Sequence, residues 1–289
     1  MSQKDWLEIK DKFEKKHSKI FELFLDSNEY FYPSEKFKNI FNQKNNLIYA
    51  KDLKKDKPGN WIPVYNKKDL PEFFIKNRIY PIRSGQAAFF FYKGEIFIDL
   101  KKIKYNEIDK KNIKHIENFI PESLNVKFQR NENAYLNKAI ALGIINHFID
   151  IYKPLHILKE EIPTKKYSRL LYGQFGKIKL TNELKFQTSK GCKTIEPGFQ
   201  FEIDLVLESN KEIFIIEAKC GSNERDNFSL LQLYYPYIYF KNMIKNKTIR
   251  TFFIDIIESV NEEHYKLLEI KFENDYFDKV KLIKSCKYI

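Results

Sequence analysis

The stretch 199–219 most constrains what this chain can become, because side chains of an extended strand alternate between two faces with a period of two. From Phe199 to Leu207 the odd positions Phe199, Phe201, Ile203, Leu205 and Leu207 are all apolar, and Gln200, Glu202 and Asp204 share the other face until Val206. One face packs and the other carries acid. In the next run Ile213, Ile215, Glu217 and Lys219 lie on one face and Phe214, Ile216 and Ala218 on the other. A strand apolar on both sides thus ends by presenting Glu217 and Lys219 together. Burying a carboxylate and an ammonium is costly, and their mutual attraction offsets the cost only in part. Glu208-Ser209-Asn210-Lys211 has hairpin length and polarity, and an antiparallel hairpin brings Asp204 beside Glu217.

Two carboxylates at that separation repel, and a divalent cation is the natural remedy. Oxygen-only ligands suit Mg²⁺ or Mn²⁺ better than zinc, and Mg²⁺ keeps several waters for chemistry. Lys219, on the same face as Glu217, can hold a metal-activated water while its charge faces a phosphate. Metal, water and phosphodiester together make a hydrolysis site. An Asp upstream of Glu-x-Lys on an apolar strand is also an ordinary arrangement in α/β proteins. The three cysteines, at 192, 220 and 286, form no Cys-x-x-Cys pair and have no His at zinc-ligand spacing, which argues against structural zinc and a disulfide framework. The scattered histidines read as structural.

Asp204, the hairpin and Glu217-Ala218-Lys219 resemble the catalytic signature of the PD-(D/E)XK nuclease superfamily. The wider order is Phe201-Glu202-Ile203-Asp204, the Glu-Ala-Lys strand, Asn227-Phe228, then Gln232-Leu233-Tyr234-Tyr235-Pro236-Tyr237. It is similar to a group of bacterial type II restriction endonuclease-like proteins over roughly residues 130 to 260. Leu70-Pro71-Glu72-Phe73-Phe74 and Ile79-Tyr80-Pro81-Ile82-Arg83-Ser84-Gly85 resemble the N-terminal region of the same group. The resemblance implies a Mg²⁺-dependent nuclease, with Mn²⁺ able to substitute, that cuts double-stranded DNA at a specific sequence and leaves 3′-hydroxyl and 5′-phosphate ends. It implies Asp204 and Glu217 as metal ligands, Lys219 as the residue that positions the water, Glu132 as an auxiliary acid and Gln232 as a contact to the site or the DNA backbone. Ile203 stands where the literal motif has Pro, and Glu202, two residues before Asp204 on the same face, is able to share its role. Apart from the resemblance, Glu132 is an acid in a helix's first turn, where the dipole favours it, and Gln232 and Tyr235 equally suit a core-facing helix.

With 51 Lys and Arg against 39 Asp and Glu, the chain's net charge of +12 favours polyanionic partners and also serves solubility. Residues 159–193 hold nine Lys or Arg against three acids, with Tyr167, Tyr172 and Phe175 interleaved. This suits a DNA cleft, with Lys165, Lys166 and Arg169 as contacts, as well as a solvated loop. Arg83-Ser84-Gly85-Gln86 offers Arg83 for guanine and Gln86 for adenine, or is a plain turn. The charged N-terminus lacks a signal-peptide core and no run is long enough to span a bilayer, so a cytoplasmic protein without a membrane partner is expected.

Two domains are expected. Residues 1–115 read as a small DNA-recognition domain of helices plus a hairpin, compatible with a winged helix: a helix over 5–25, loop over 42–63, helix over 70–77, an extended run over 79–82, a hairpin of 87–92 with 95–100, and a linker or surface helix over 101–114. Residues 116–289 read as an α/β nuclease domain, a restriction-endonuclease-like mixed β-sheet flanked by helices. It would contain a helix over 131–151 capped by Asn131, strands over 157–162 and 176–186, the hairpin of 199–219, a helix over 226–245 kinked or divided at Pro236, a strand over 251–257, a helical or mixed segment near 262–268 and a lysine-rich tail. Cutting both strands of a palindromic target favours a two-fold homodimer. A structure-selective or repair nuclease and a non-catalytic DNA-binding protein are the alternatives.

Overall fold

The computed structural model describes residues 48–49, 66–70, 72–83, 88–113, 132–150, 168–170, 178–180, 184–188, 191–195, 200–209, 211–258 and 263–289. In chain order these form β1 (Ile48–Tyr49), α1 (Glu72–Lys76), β2 (Ile79–Arg83), β3 (Ala88–Lys93), β4 (Phe97–Asp99), β5 (Asn106–Ile108), α2 (Glu132–Ala141), α3 (Ile144–Asp150), β6 (Ser168–Leu170), β7 (Ile178–Lys179), β8 (Leu184–Thr188) and β9 (Gly191–Ile195). Then follow β10 (Gln200–Phe201), β11 (Leu205–Glu208), β12 (Glu212–Gly221), β13 (Asn227–Ser229), α4 (Leu231–Met243), β14 (Thr248–Glu258), β15 (Glu263–Phe272) and β16 (Val280–Tyr288).

Seven strands make one mixed sheet in the order β5-β16-β15-β14-β12-β11-β6. Its central pair, β12 and β14, runs parallel, and β11 and β15 flank that pair antiparallel. Both central strands are apolar on both faces, as strands covered from two sides must be. Ile213, Ile215, Phe253 and Leu268 enter one core with Leu233, Tyr234, Tyr237 and Phe240 of α4. Phe214, Ile216, Ala218, Phe252 and Ile254 enter the other with Leu136 and Ala139 of α2 and Ile145 and Phe148 of α3. Each large apolar side chain so buried stabilises by about 1.5–3 kcal/mol. The α/β class and the mixed sheet flanked by helices are therefore observed. Among the described residues no helix is long and apolar enough to cross a membrane.

The alternation over 199–207 predicts one strand, and the structure interrupts it. β10 pairs with β7 in a separate ladder, whereas β11 pairs with β12 and β6. Serving both ladders turns the chain over at 202–204: Phe201 and Ile203 enter the core on the α4 side, while Leu205 and Leu207 enter the opposite one. Asp204 sits at that crossover.

Other expectations are corrected by pairing that only the folded chain supplies. The helix expected over 131–151 is two helices, because Gly143 at φ 72 breaks the ladder between α2 and α3. The hairpin expected between 87–92 and 95–100 does not form: β3 is bonded to β2 and β1, and β4 pairs with β13 instead. That pairing also removes Asn227–Ser229 from the helix expected over 226–245, which begins at Leu231 and continues through Pro236. In 101–114, expected as linker or helix, β5 joins the sheet beside β16. The segments near 262–268 and at the lysine-rich tail are the long strands β15 and β16. The extended run expected over 176–186 is divided between β7 and β8, and within the loop expected over 42–63 Ile48–Tyr49 pairs with β3.

The helix expected over 5–25, Asn131, the strand over 157–162 and the boundary near residue 115 lie outside the described residues. On the N-terminal side of that boundary, Leu70, Phe74, Ile79, Tyr80 and Ile82 share one core with Phe228, Leu231 and Tyr234.

Candidate active site

β11 and β12 are in register with Leu205 opposite Ile216. Continuing that register one step sets Asp204 opposite Glu217. Asp204 lies beyond the end of β11, and its Oδ2 accepts the Ala218 N–H at 2.8 Å. The side chain thereby satisfies a donor that the strand would have met had it continued. Glu217 is buried on the α4 side of the sheet; its Oε1 accepts Nε2 of Gln232 at 2.6 Å and lies 2.8 Å from Nζ of Lys219. Gln232 comes from the first turn of α4. Lys219 Nζ also donates to the Ala218 carbonyl at 2.9 Å and to Glu132 Oε1 at 3.2 Å, and Glu132 opens α2. Residues from a strand terminus, a central strand and two helices thus meet in one network.

Three carboxylates surround one ammonium. Burial pushes the Glu217 carboxyl up to about 8, with Asp204 and Glu132 adding to the rise and Lys219 opposing it. Burial also raises Glu132, again against the pull of Lys219. Burial alone would lower Lys219, but the charges of Glu217, Asp204 and Glu132 outweigh it and hold the ammonium protonated well above its ordinary range.

Oδ1 of Asp204 and Oε2 of Glu217 carry no hydrogen bond among the described residues. One oxygen of each carboxylate is therefore left for a hard cation. Among the described residues no group of three or more His, Cys, Asp or Glu side chains forms a metal cage. The donor set fits an ion such as Mg²⁺, which takes one or two carboxylates and completes its shell with water.

The remaining sequence candidates are placed less fully. Glu202, expected to share the face of Asp204, is exposed, whereas Asp204 is partly buried. Arg83 ends β2 and Arg169 lies in β6 opposite Leu207. Gln86, Lys165 and Lys166 lie outside the described residues.

Sequence reading missed Asp255 and Arg225. Asp255 is 2% exposed in β14, in register with Lys219. Arg225 follows β12 and forms an ion pair with it at 3.5 Å. The signal was an acid interrupting the apolar run Phe252-Phe253-Ile254-Asp255-Ile256-Ile257.

Among known proteins, no curated protein and no solved structure matches this chain. A family described as a domain of unknown function, DUF6997, matches residues 92–289, more than half of the chain and all of the described site. The chain belongs to the DUF6997 family.

Proposed function

We propose that the chain is a Mg²⁺-dependent endonuclease of PD-(D/E)XK type, restriction-endonuclease-like in fold, which hydrolyses phosphodiester bonds of double-stranded DNA at a specific sequence. The observation that carries this reading is the convergence of Asp204, Glu217, Lys219, Glu132 and Gln232 in one partly buried network, with Glu217 at its buried centre, at the end of a central strand. A structural ion pair on β12 accounts for Glu217 and Lys219 but gives no reason for two further carboxylates beside them.

Asp204 and Glu217 would hold the ion through their unbonded oxygens. When bound, Mg²⁺ acidifies a coordinated water and neutralises charge developing on the phosphoryl oxygens. Lys219 exchanges one of its carboxylate contacts for the attacking water and keeps it aligned. Glu132 keeps the ammonium in place, and Gln232 orients the carboxylate of Glu217. Second partners of this kind change metal affinity or activity by about 10–100-fold. Attack in line with the leaving oxygen gives 3′-hydroxyl and 5′-phosphate ends. Residues 1–115, with Arg83 and Gln86, would contribute sequence recognition, Lys165, Lys166 and Arg169 would neutralise phosphates, and a homodimer would bring two sites to the two strands.

The test is incubation of purified protein with plasmid DNA and Mg²⁺, followed by sequencing of the ends. Discrete fragments with one shared end sequence, abolished by EDTA, are expected. Fragments without a common sequence point to a structure-selective nuclease, and cleavage that persists in EDTA removes the metal mechanism.

A further inference from the structure

The strand that carries Glu217 and Lys219 ends at Gly221, and the chain turns through 222–226 before β13. Arg225 is tied down within that turn. Its backbone N–H donates to Asp255 Oδ2 at 3.2 Å, its Nη2 donates to the Cys220 carbonyl at 3.1 Å, and its Nε lies 3.5 Å from Asp255 Oδ1. Asp255 is a buried side chain of the parallel neighbour strand, alongside Lys219. Glu224, the residue before Arg225, pairs at 2.8 Å with Lys266, which stands opposite Asp255 on β15. The turn is anchored at two successive side chains, and the guanidinium is held rather than free to sweep.

A buried carboxylate is costly, and its return is the fixed position of the cation it holds. The Arg225 side chain stays 31% exposed. Its Nε faces Asp255 and one Nη2 hydrogen is used on Cys220; Nη1 has no partner among the described residues. The carbonyl that holds Nη2 belongs to Cys220, the residue after Lys219 in β12, so the guanidinium stands next to the site along that strand. Burial raises the Glu132 carboxyl, Lys219 opposes the rise and Arg225 adds a smaller opposing effect. Asp204, Glu217 and Glu132 would repel a phosphodiester, and Lys219 is spent on two of them. A fixed, partly exposed guanidinium beside that cluster supplies the missing positive charge in the planar form that matches two phosphate oxygens.

Resting on the nuclease reading, we propose that Arg225 is the residue that binds the phosphodiester backbone of duplex DNA at this site, and that Asp255 is the positioning residue that aims it. Because the orientation is set before DNA arrives, little side-chain entropy is lost on binding.

The experiment measures binding of a labelled random-sequence duplex by fluorescence anisotropy in EDTA across a salt series, with thermal melts of each variant as the folding control. Arg225→Ala is expected to weaken binding roughly tenfold and to reduce the slope of log affinity against log salt by about 1. Arg225→Lys is expected to restore the slope. Asp255→Asn is expected to keep the wild-type slope, since the charge remains, while weakening binding. If Arg225→Ala fails to fold, Arg225→Gln carries the same comparison. An unchanged slope in the neutral Arg225 variant overturns the assignment even if the wild-type protein cuts DNA. Wild-type protein that binds duplex with an Arg225-dependent slope but leaves plasmid intact in Mg²⁺ supports the assignment and overturns the nuclease reading. A wild-type protein that binds no duplex overturns both.

Discussion

Lys219 offers three ammonium hydrogens and has three oxygens within reach, on Glu217, Glu132 and the Ala218 carbonyl. Its role is therefore testable apart from folding. Lys219→Ala should lower the single-turnover cleavage rate at least about 100-fold and leave duplex affinity within about twofold, because general acid–base and water-positioning groups contribute factors of this size. Gln232→Ala removes the 2.6 Å bond to Glu217 and should lower activity about tenfold, read as kcat against Mg²⁺ concentration. Glu217 sets a pH dependence. Its carboxyl rises from an ordinary 4.5 to about 8 in the folded chain, so the folded state holds an extra proton between those values. That contribution to stability is present below 4.5 and lost as pH rises through about 8. In EDTA, calorimetry should find the melting temperature of the wild type falling relative to Glu217→Gln between pH about 6 and about 9. Mg²⁺, which needs the ionised carboxylate, should stabilise the wild type more at the higher pH. Glu217 and Lys219 were legible in the sequence because charges on a two-faced apolar strand are conspicuous, whereas Gln232 was singled out only by the resemblance. Asp255 carried the same mark, an acid in an apolar run, but its meeting with Lys219 and Arg225 was not legible, because only the parallel register of β12 with β14 and the turn after β12 bring them to it.

At the scale of elements, what was legible was what periodicity alone defines. The antiparallel pair around 208–212 formed as its polar turn requires, and a helix carries Gln232 through Pro236. β15 was not legible because Leu267 and Leu268 enter opposite cores, so burial on both faces erased the alternation that marks a one-sided strand. β16 was not because Lys281, Leu282 and Ile283 are exposed in succession and Lys284, Ser285 and Cys286 buried in succession. The junction between α2 and α3 depends on one residue. Gly143→Ala places a side chain at φ 72 and should destabilise by about 1–2 kcal/mol, seen as a lower melting temperature with the secondary structure unchanged. β13 is fixed by aromatic stacking as well as by β4, since the rings of Phe228 and Phe253 lie 4.0 Å apart and nearly parallel. Phe228→Ala should cost about 3–5 kcal/mol in denaturant unfolding and loosen the start of α4, and with it Gln232.

For the whole molecule, residues before the family match are part of the fold that supports the site. Ring contact joins Tyr80 to Phe97, and Lys67 N–H donates to Asn227 at 3.0 Å. A chain cut to 92–289 should therefore lose cooperative melting or aggregate, because removing Leu70, Phe74, Ile79, Tyr80 and Ile82 uncovers the core beneath α4. Size-exclusion chromatography and calorimetry of the two lengths would check it. By itself the sequence determined the α/β class, the hairpin and the set of acids and lysine at its end, since strand parity and turn chemistry act between near neighbours. Tertiary structure decided where 199–207 breaks, that β4 and β5 leave the N-terminal segment to pair with β13 and β16, and that Glu132 and Gln232 reach the same carboxylate network. Those outcomes depend on which distant strands and helices meet. No local pattern encodes such meetings, because a backbone edge accepts any partner whose side chains fill the core on either side.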